Sequence, residues 1–170
     1  PLPSIIRSLA VSPDGQLNAI GMNNGSVRIY PNDANESIIA FTGHSGPILD
    51  LVFSSDSSLL LTCGNDAYAR LWDCESGSYI KSFSGFGAKV LHAAFNADNS
   101  RVAIAVSPSA VDSEYSVFVY DTDSGNLAYS VIGHLQAIQD LLFLSDGQLI
   151  TCSRDSTIRF WESDNENAAY

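Results

Sequence analysis

Two aspartates and a histidine recur at matching places in this sequence, and their side chains could do acid–base or metal chemistry. Asp50 and His92 are 42 residues apart, and His92 and Asp140 are 48 apart. Two carboxylates and an imidazole could hold a metal ion or exchange protons if they met. Mostly apolar neighbours place them on buried strands, and neither a cysteine nor a second histidine lies near His92 at ligand spacing. The pattern therefore favours individually hydrogen-bonded groups on separate repeats and predicts no metal site.

The same interval separates the segments that are predicted to form strands. Four short segments end in an aromatic residue, at Tyr30, Trp72, Tyr120 and Trp161, and these residues are 42, 48 and 41 positions apart. Apolar runs of four to six residues lie between turn signals such as Asp146-Gly147, which indicates short buried strands joined by tight hairpins. A period in the forties with this content predicts an all-β fold, a β-propeller of four-stranded antiparallel blades.

Two of the four repeats also carry a pair of motifs. Gly43-His44 and Gly133-His134 begin them, and Leu71-Trp72-Asp73 and Phe160-Trp161-Glu162 end them. Motifs of this kind at this spacing resemble those of the WD-repeat β-propeller family, and the resemblance covers nearly the whole chain. The first and third repeats lack both the His and the Trp, so their assignment depends on the period and the turns.

The repeat divides the chain into four blade units, over about residues 1–42, 43–84, 85–132 and 133–170. Few residues follow Trp161, so the last blade is expected to lack most of its outer strand and the chain to form a partial propeller. An unclosed propeller would expose apolar blade faces and sheet edges, which favours self-association.

The resemblance also implies a structural role for a set of polar residues. In WD-repeat blades a histidine, a Ser or Thr, an aspartate and a tryptophan form a buried hydrogen-bonded tetrad. Carried onto this sequence, the tetrads are His44, Thr62, Asp66 and Trp72, and His134, Thr151, Asp155 and Trp161. A hydroxyl, an imidazole and a carboxylate in line could also form a nucleophilic triad. Burial inside a sheet would leave no room for substrate, so we expect structural tetrads and no enzymatic activity.

Partners of propellers that resemble this one often bind the top face, where loops present variable side chains. The corresponding positions here are Arg7, Asn23, Leu49, Asn65, Lys89, Leu91, Gln139 and Arg154. The third unit has six extra residues, which predicts a longer hairpin whose tip adds Asp112 and Glu114 to this face. A plain solvated rim is the alternative at each of these positions.

Composition narrows the class of partner. The chain has 8 basic and 19 acidic residues, a formal charge of −11, which repels phosphate backbones and anionic membranes. We therefore expect other proteins or peptides with basic or neutral surfaces, and neither direct nucleic-acid binding nor a membrane span of ~20 apolar residues. Three cysteines without CxxC spacing predict neither disulfides nor a zinc site, and they favour an intracellular location, in cytoplasm or nucleus.

These observations predict a non-catalytic scaffold, without a cofactor, that mediates protein–protein interactions within a larger assembly. The alternative is a propeller domain of a regulatory protein that reads a peptide or a modified residue at the central opening. A propeller hydrolase is disfavoured, because no exposed nucleophile, base or metal cluster stands out beyond the tetrads.

Overall fold

The computed structural model describes residues 4–33, 38–108 and 115–162, which contain fifteen strands and no helix. The strands are β1 (Ile6–Val11), β2 (Leu17–Met22), β3 (Ser26–Pro31), β4 (Ile39–Thr42), β5 (Ile48–Phe53), β6 (Leu59–Gly64), β7 (Ala69–Asp73), β8 (Tyr79–Phe83), β9 (Val90–Phe95), β10 (Arg101–Val106), β11 (Tyr115–Asp121), β12 (Leu127–His134), β13 (Ile138–Phe143), β14 (Leu149–Ser153) and β15 (Ile158–Trp161).

Side-chain hydrogen bonds close the tight turns between strands. Between β5 and β6, Ser54 Oγ donates to Asp56 Oδ1 at 2.6 Å, and the backbone N–H of Ser58 donates to the same oxygen at 3.1 Å. Ser57 takes a left-handed φ of 64° in this turn. Asp and Ser favour such turns because their short polar side chains replace backbone partners.

The strands form four antiparallel sheets in chain order. Three sheets have four strands each, β1–β4, β5–β8 and β9–β12, and the fourth contains β13, β14 and β15. The inner strands β1, β5, β9 and β13 lie side by side, each packed on the next, so the sheets are arranged around a common axis. This architecture confirms the predicted all-β propeller fold.

Each hydrophobic core lies between two blades. Leu61 and Leu71 of the second blade pack with Val90, Val102 and Ile104 of the third, and all five are buried. Side chains of this size contribute about 1.5–3 kcal/mol each when they are fully buried. The blades therefore depend on their neighbours for stability, as in other repeat architectures.

The first and last blades each have an apolar face that is exposed, unlike the faces between adjacent blades. Leu9 on β1 is 65% exposed and Ile158 on β15 is 59% exposed, although the equivalent residues of the middle blades are buried. Among the described residues, β1 has no packing against β13 comparable to that between successive inner strands. Two apolar blade faces therefore remain open to solvent.

Within the described ranges, no helix is long and apolar enough to cross a bilayer.

Candidate functional site

The tetrad of the second blade is a continuous chain of hydrogen bonds. Trp72 Nε1 donates to Thr62 Oγ1 at 2.9 Å, and Thr62 Oγ1 lies 2.8 Å from His44 Nε2. His44 Nδ1 lies 2.8 Å from Asp66 Oδ1. Because a carboxylate only accepts, His44 donates from Nδ1 and its Nε2 accepts the Thr62 hydroxyl proton. One imidazole thus connects the loop before β5 to the hairpin between β6 and β7.

The fourth blade repeats this arrangement. Trp161 Nε1 donates to Thr151 Oγ1 at 2.9 Å, and His134 Nε2 lies 2.7 Å from the same hydroxyl oxygen. His134 Nδ1 lies 2.8 Å from Asp155 Oδ2. The structure therefore brings all eight tetrad residues together in the two groups named from the sequence.

The protonation state of the second-blade tetrad follows from its burial and its hydrogen bonds. Burial lowers the pKa of His44 below its usual 6.5, although Asp66 acts in the opposite direction. Burial opposes the charge on Asp66, but hydrogen bonds from His44, Ser45 and Arg70 outweigh it and lower its pKa to about 2. The site at neutral pH is therefore a neutral imidazole beside a carboxylate anion.

Sequence reasoning missed an arginine beside the first tetrad. Arg70 Nη1 donates to Asp66 Oδ2 at 2.9 Å, and the guanidinium lies 4.5 Å from the centre of the Tyr68 ring. In the fourth blade, Arg159 lies over the Trp161 ring at 5.8 Å. The signal was present, because both arginines stand two residues before the motif tryptophan.

Gly64 is a second residue that sequence reasoning missed. A Cβ at this position would overlap His44 Nδ1 and Asp66 Oδ1. The equivalent position holds Ser153 in the fourth blade, but Met22 and Val106 in the first and third. The blades with a tetrad histidine thus have a small residue there, and the blades without it have a larger one that fills the space.

Asp50, His92 and Asp140 lie on the inner strands, as their spacing predicted. Asp50 Oδ2 is 3.4 Å from His92 Nδ1 and accepts from the backbone N–H of Ala93 at 3.3 Å. The expectation of separate groups was therefore wrong for Asp50 and His92, because β5 and β9 lie side by side and bring them together. Asp140 Oδ1 instead accepts from the backbone N–H of Leu141 at 2.8 Å.

A cleft of about 420 Å³ runs along these inner strands. Asp50 and Asp140 line it together with apolar side chains that include Phe53 and Phe143. Within the described part of the chain, no group of three or more His, Cys, Asp or Glu residues is placed to hold a metal ion. The cleft can therefore offer carboxylates and apolar surface to a ligand, but no metal centre built from these residues.

The residues predicted for the top face lie at one edge of the propeller, beside the loops that carry the histidines. Backbone hydrogen bonds join the start of the inner strand to the next hairpin in all four blades, from Asn23 to Ile5, Asn65 to Pro47, Ser107 to Lys89 and Arg154 to Ala137. The exposed members are Arg7, Asn65, Lys89, Gln139 and Arg154, and the half-buried ones are Asn23, Leu49 and Leu91. Asp112 and Glu114 lie outside the described residues.

The top face is therefore a fixed rim with separated side chains. Arg7 Nε donates to Asn23 Oδ1 at 3.0 Å, which holds one guanidinium in place. Lys89 and Arg154 are exposed, and no described carboxylate forms an ion pair with either of them. These two cations are available to a partner without the loss of an existing contact.

Comparisons with known proteins agree with this geometry. The WD40 family, described as "WD domain, G-beta repeat", matches residues 35–73 and 125–162. The crystal structure of the RRP9 WD40 repeats superposes with a TM-score of 0.84 at 22% identity, over 95% of this chain and 49% of that one.

Two curated relatives are also similar in sequence. Pre-mRNA-processing factor 19 of Schizosaccharomyces pombe is 36% identical over 33% of this chain, and Periodic tryptophan protein 2 of Arabidopsis thaliana is 27% identical over 92% of it. The chain spans only 12% and 17% of the lengths of these two relatives. The fold, the tetrad motifs and the family match over these two segments together support a WD-repeat β-propeller.

Proposed function

We propose that this chain is a non-catalytic scaffold that binds other proteins within a larger intracellular assembly. The observation that carries the proposal is the contrast between the tetrads and the top face. His44 and His134 are 3% and 1% exposed, so the groups most able to do chemistry are inaccessible. Lys89 and Arg154 are exposed on a rigid rim, where a partner can reach them.

The hydrogen bonds within the tetrads argue against a hydrolase. A serine-type nucleophile needs a hydroxyl that both contacts its base and reaches a substrate carbon. Thr62 and Thr151 are fully buried, and each hydroxyl oxygen already accepts from a tryptophan N–H. Within each tetrad, the indole N–H, the threonine hydroxyl and both imidazole nitrogens have partners, so the network satisfies buried polar groups rather than presenting them.

The relatives support the same proposal. The name of one relative, Pre-mRNA-processing factor 19, refers to the processing of pre-mRNA, which takes place inside cells. An acidic chain of charge −11 is poorly suited to contact RNA directly. A role in holding protein components together would suit both facts, with partners that are basic or neutral overall and that present acceptor groups to Lys89 and Arg154.

The test compares two exposed charges on the top face with one on the opposite face. Lys89→Ala and Arg154→Ala should each reduce recovery of at least one protein that copurifies with the tagged full-length wild type. Asp123→Ala is the control, since Asp123 is also an exposed charged residue but lies at the other end of the blade. Recovery of the same proteins in the same amounts from all three variants would remove the top face from the proposal.

A second candidate function has one observation in its favour. The cleft along the inner strands presents Asp50 and Asp140 beside apolar side chains, which could bind the basic side chain of a peptide at the central opening. Asp140→Asn would then weaken binding of lysine-containing peptides and leave top-face partners unchanged. Equal peptide binding by wild type and Asp140→Asn would reject this alternative.

A further inference from the structure

The propeller has a second face, which we call the bottom face, made of the turns opposite the histidine loops. Hydrogen bonds between turns of adjacent blades hold it together, such as Asp14 N–H to Ser57 Oγ at 3.3 Å and Ser55 N–H to Asn99 Oδ1 at 2.8 Å. The acidic residues on this face are Asp14, Asp33, Asp56, Asp73, Glu75, Asp98, Asp121, Asp123, Asp146 and Glu162. Its described basic residues are Lys81 and Arg101.

The charges of the chain are therefore divided between its two faces. The exposed cations Arg7, Lys89 and Arg154 lie on the top face, while most described carboxylates lie on the bottom face. A surface of one sign attracts a partner of the opposite sign and speeds its association. The bottom face thus favours a basic partner, a different requirement from that of the top face.

A cleft of about 420 Å³ opens on the bottom face between the first and second blades. Its lining combines an apolar part with an acidic rim. The apolar residues are Leu17, Ile38 and Cys74, and the acidic residues are Asp14, Asp73 and Glu75. Ile38 is 60% exposed, so apolar surface is open to solvent directly beside the carboxylates.

Among the residues that the structure describes, the carboxylates around this cleft have no cationic partner. Asp14 and Asp73 each use Oδ1 to accept a serine hydroxyl of their own turn at 2.6 Å. In the described ranges, no Lys or Arg forms an ion pair with Asp14, Asp73 or Glu75. Burial above all, and then the nearby carboxylates, which include Asp73 and Asp14, raise the pKa of the Cys74 thiol to about 12.

The next junction between blades has a basic side chain in contact with the equivalent turn. Between the second and third blades, Lys81 Nζ donates to the backbone carbonyl of Thr122 at 2.8 Å and to that of Asp123. This ammonium group thus reaches the turn that follows β11. The chain itself therefore places a basic side chain at this second junction.

Strand register identifies the equivalent residues at the first junction. Lys81 pairs with Leu71, and Ile39 pairs with Ile29 at the same place in the first blade. Asp73-Cys74-Glu75 occupies the turn that Asp121-Thr122-Asp123 occupies in the third blade. The first junction therefore has the acidic turn but an isoleucine in place of the lysine that contacts it.

We propose that the cleft between the first two blades binds a basic segment of a partner protein. A Lys or Arg side chain of the partner would contact the turn at Asp73 and Glu75, as Lys81 contacts the equivalent turn. An adjacent apolar side chain would pack on Leu17 and Ile38. This inference rests on the proposed scaffold function and adds to it a second binding surface with a defined partner chemistry.

The test uses a fluorescein-labelled synthetic peptide with lysines and arginines on both sides of a leucine, titrated into the full-length protein. Fluorescence anisotropy should show saturable binding, and the same peptide with glutamates in place of the basic residues should not bind. Glu75→Lys should weaken binding about tenfold, because it introduces a like charge at the site. Asp123→Lys, the same charge change at the equivalent position, should change affinity less than about twofold, since charges beyond about 8 Å are screened at physiological salt.

A second variant tests the comparison with Lys81 directly. Ile39→Lys places an ammonium group at the equivalent position, where it should occupy the acidic turn and weaken peptide binding about tenfold. Ile39→Met keeps an apolar side chain there and should bind as wild type, which controls for altered packing. Thermal unfolding of both variants identifies any loss of fold.

Two results would overturn the proposal. One is no saturable binding of the basic peptide by wild type. The other is equal weakening by Glu75→Lys and Asp123→Lys, because that outcome means diffuse attraction to an acidic surface. Lys89→Ala on the top face should leave peptide binding unchanged, so failure of the scaffold proposal and failure of this one give different results.

Discussion

Replacing Thr151 with valine would measure how much the tetrad of the fourth blade stabilises the fold. Valine has nearly the same shape as threonine, so the substitution removes the hydroxyl and little else. Thr151 is fully buried, and its hydroxyl contacts Trp161 Nε1 at 2.9 Å and His134 Nε2 at 2.7 Å. Both partners are also buried, at 1% exposure each, so water cannot replace the lost contacts.

The expected loss follows from these contacts. A buried polar group without a partner costs about 1–3 kcal/mol, and Thr151→Val leaves two such groups. Burial of the new methyl group offsets about 0.8 kcal/mol of this cost. The free energy of unfolding should therefore fall by about 3 kcal/mol. A loss of this size in the free energy of unfolding is what a purely structural hydrogen-bond network predicts.

Urea unfolding followed by tryptophan fluorescence measures this change, because Trp161 itself belongs to the tetrad. Thr157→Val is the control: its hydroxyl donates to Asp155 Oδ1 at 2.6 Å, but Thr157 is exposed and water can take its place. The control should lose less than about 1 kcal/mol. A change below about 0.5 kcal/mol in Thr151→Val would refute the assignment of the tetrad as a stabilising network.

Further predictions concern the second blade. The pKa of His44 is below its unfolded value of 6.5, so protonation of His44 favours the unfolded chain. The free energy of unfolding should therefore fall as the pH drops below 6.5. His44→Gln should remove this pH dependence when urea unfolding is measured over a series of pH values. The pKa of Asp66 is lowered to about 2 from 3.8, so a further loss should follow in acid between these values, and Asp66→Asn should remove it. Gly64→Ala should reduce the free energy of unfolding by about 1–3 kcal/mol because its Cβ would overlap the His44 ring. Ser153→Ala adds no Cβ and removes only the partly exposed hydrogen bonds of the Ser153 hydroxyl to Gln136 O and from Asp155 N–H, so it should cost less than about 1 kcal/mol; equal losses in a denaturant titration would contradict the overlap.

The repeat period predicts most of the fold because each blade is a local unit with its own turns. Trp72 and Trp161 are two whole repeats apart, and the turn signals mark where the strands end. Tetrad positions follow the same register, so the family resemblance could assign them residue by residue. These features depend on residues that are close together in the sequence, so a single sequence is enough to predict them.

Contacts between blades are harder to predict because they join residues far apart in sequence. The approach of Asp50 to His92 depends on how β5 packs on β9, which no local pattern specifies. The contact of Lys81 with the turn at Thr122 likewise spans two blades. The charge division between the faces emerges only when every turn is assigned to one end of its blade.

The measurement that tests the scaffold claim most directly is amine cross-linking of the full-length protein in its native assembly, read by mass spectrometry. The lysines of the chain are Lys81 and Lys89, which lie on the bottom and top faces. The account predicts cross-links from Lys89 to at least one other protein, lost when Arg154→Glu is introduced elsewhere on the top face. Recovery of the protein alone, with no cross-link to any other protein, would contradict it.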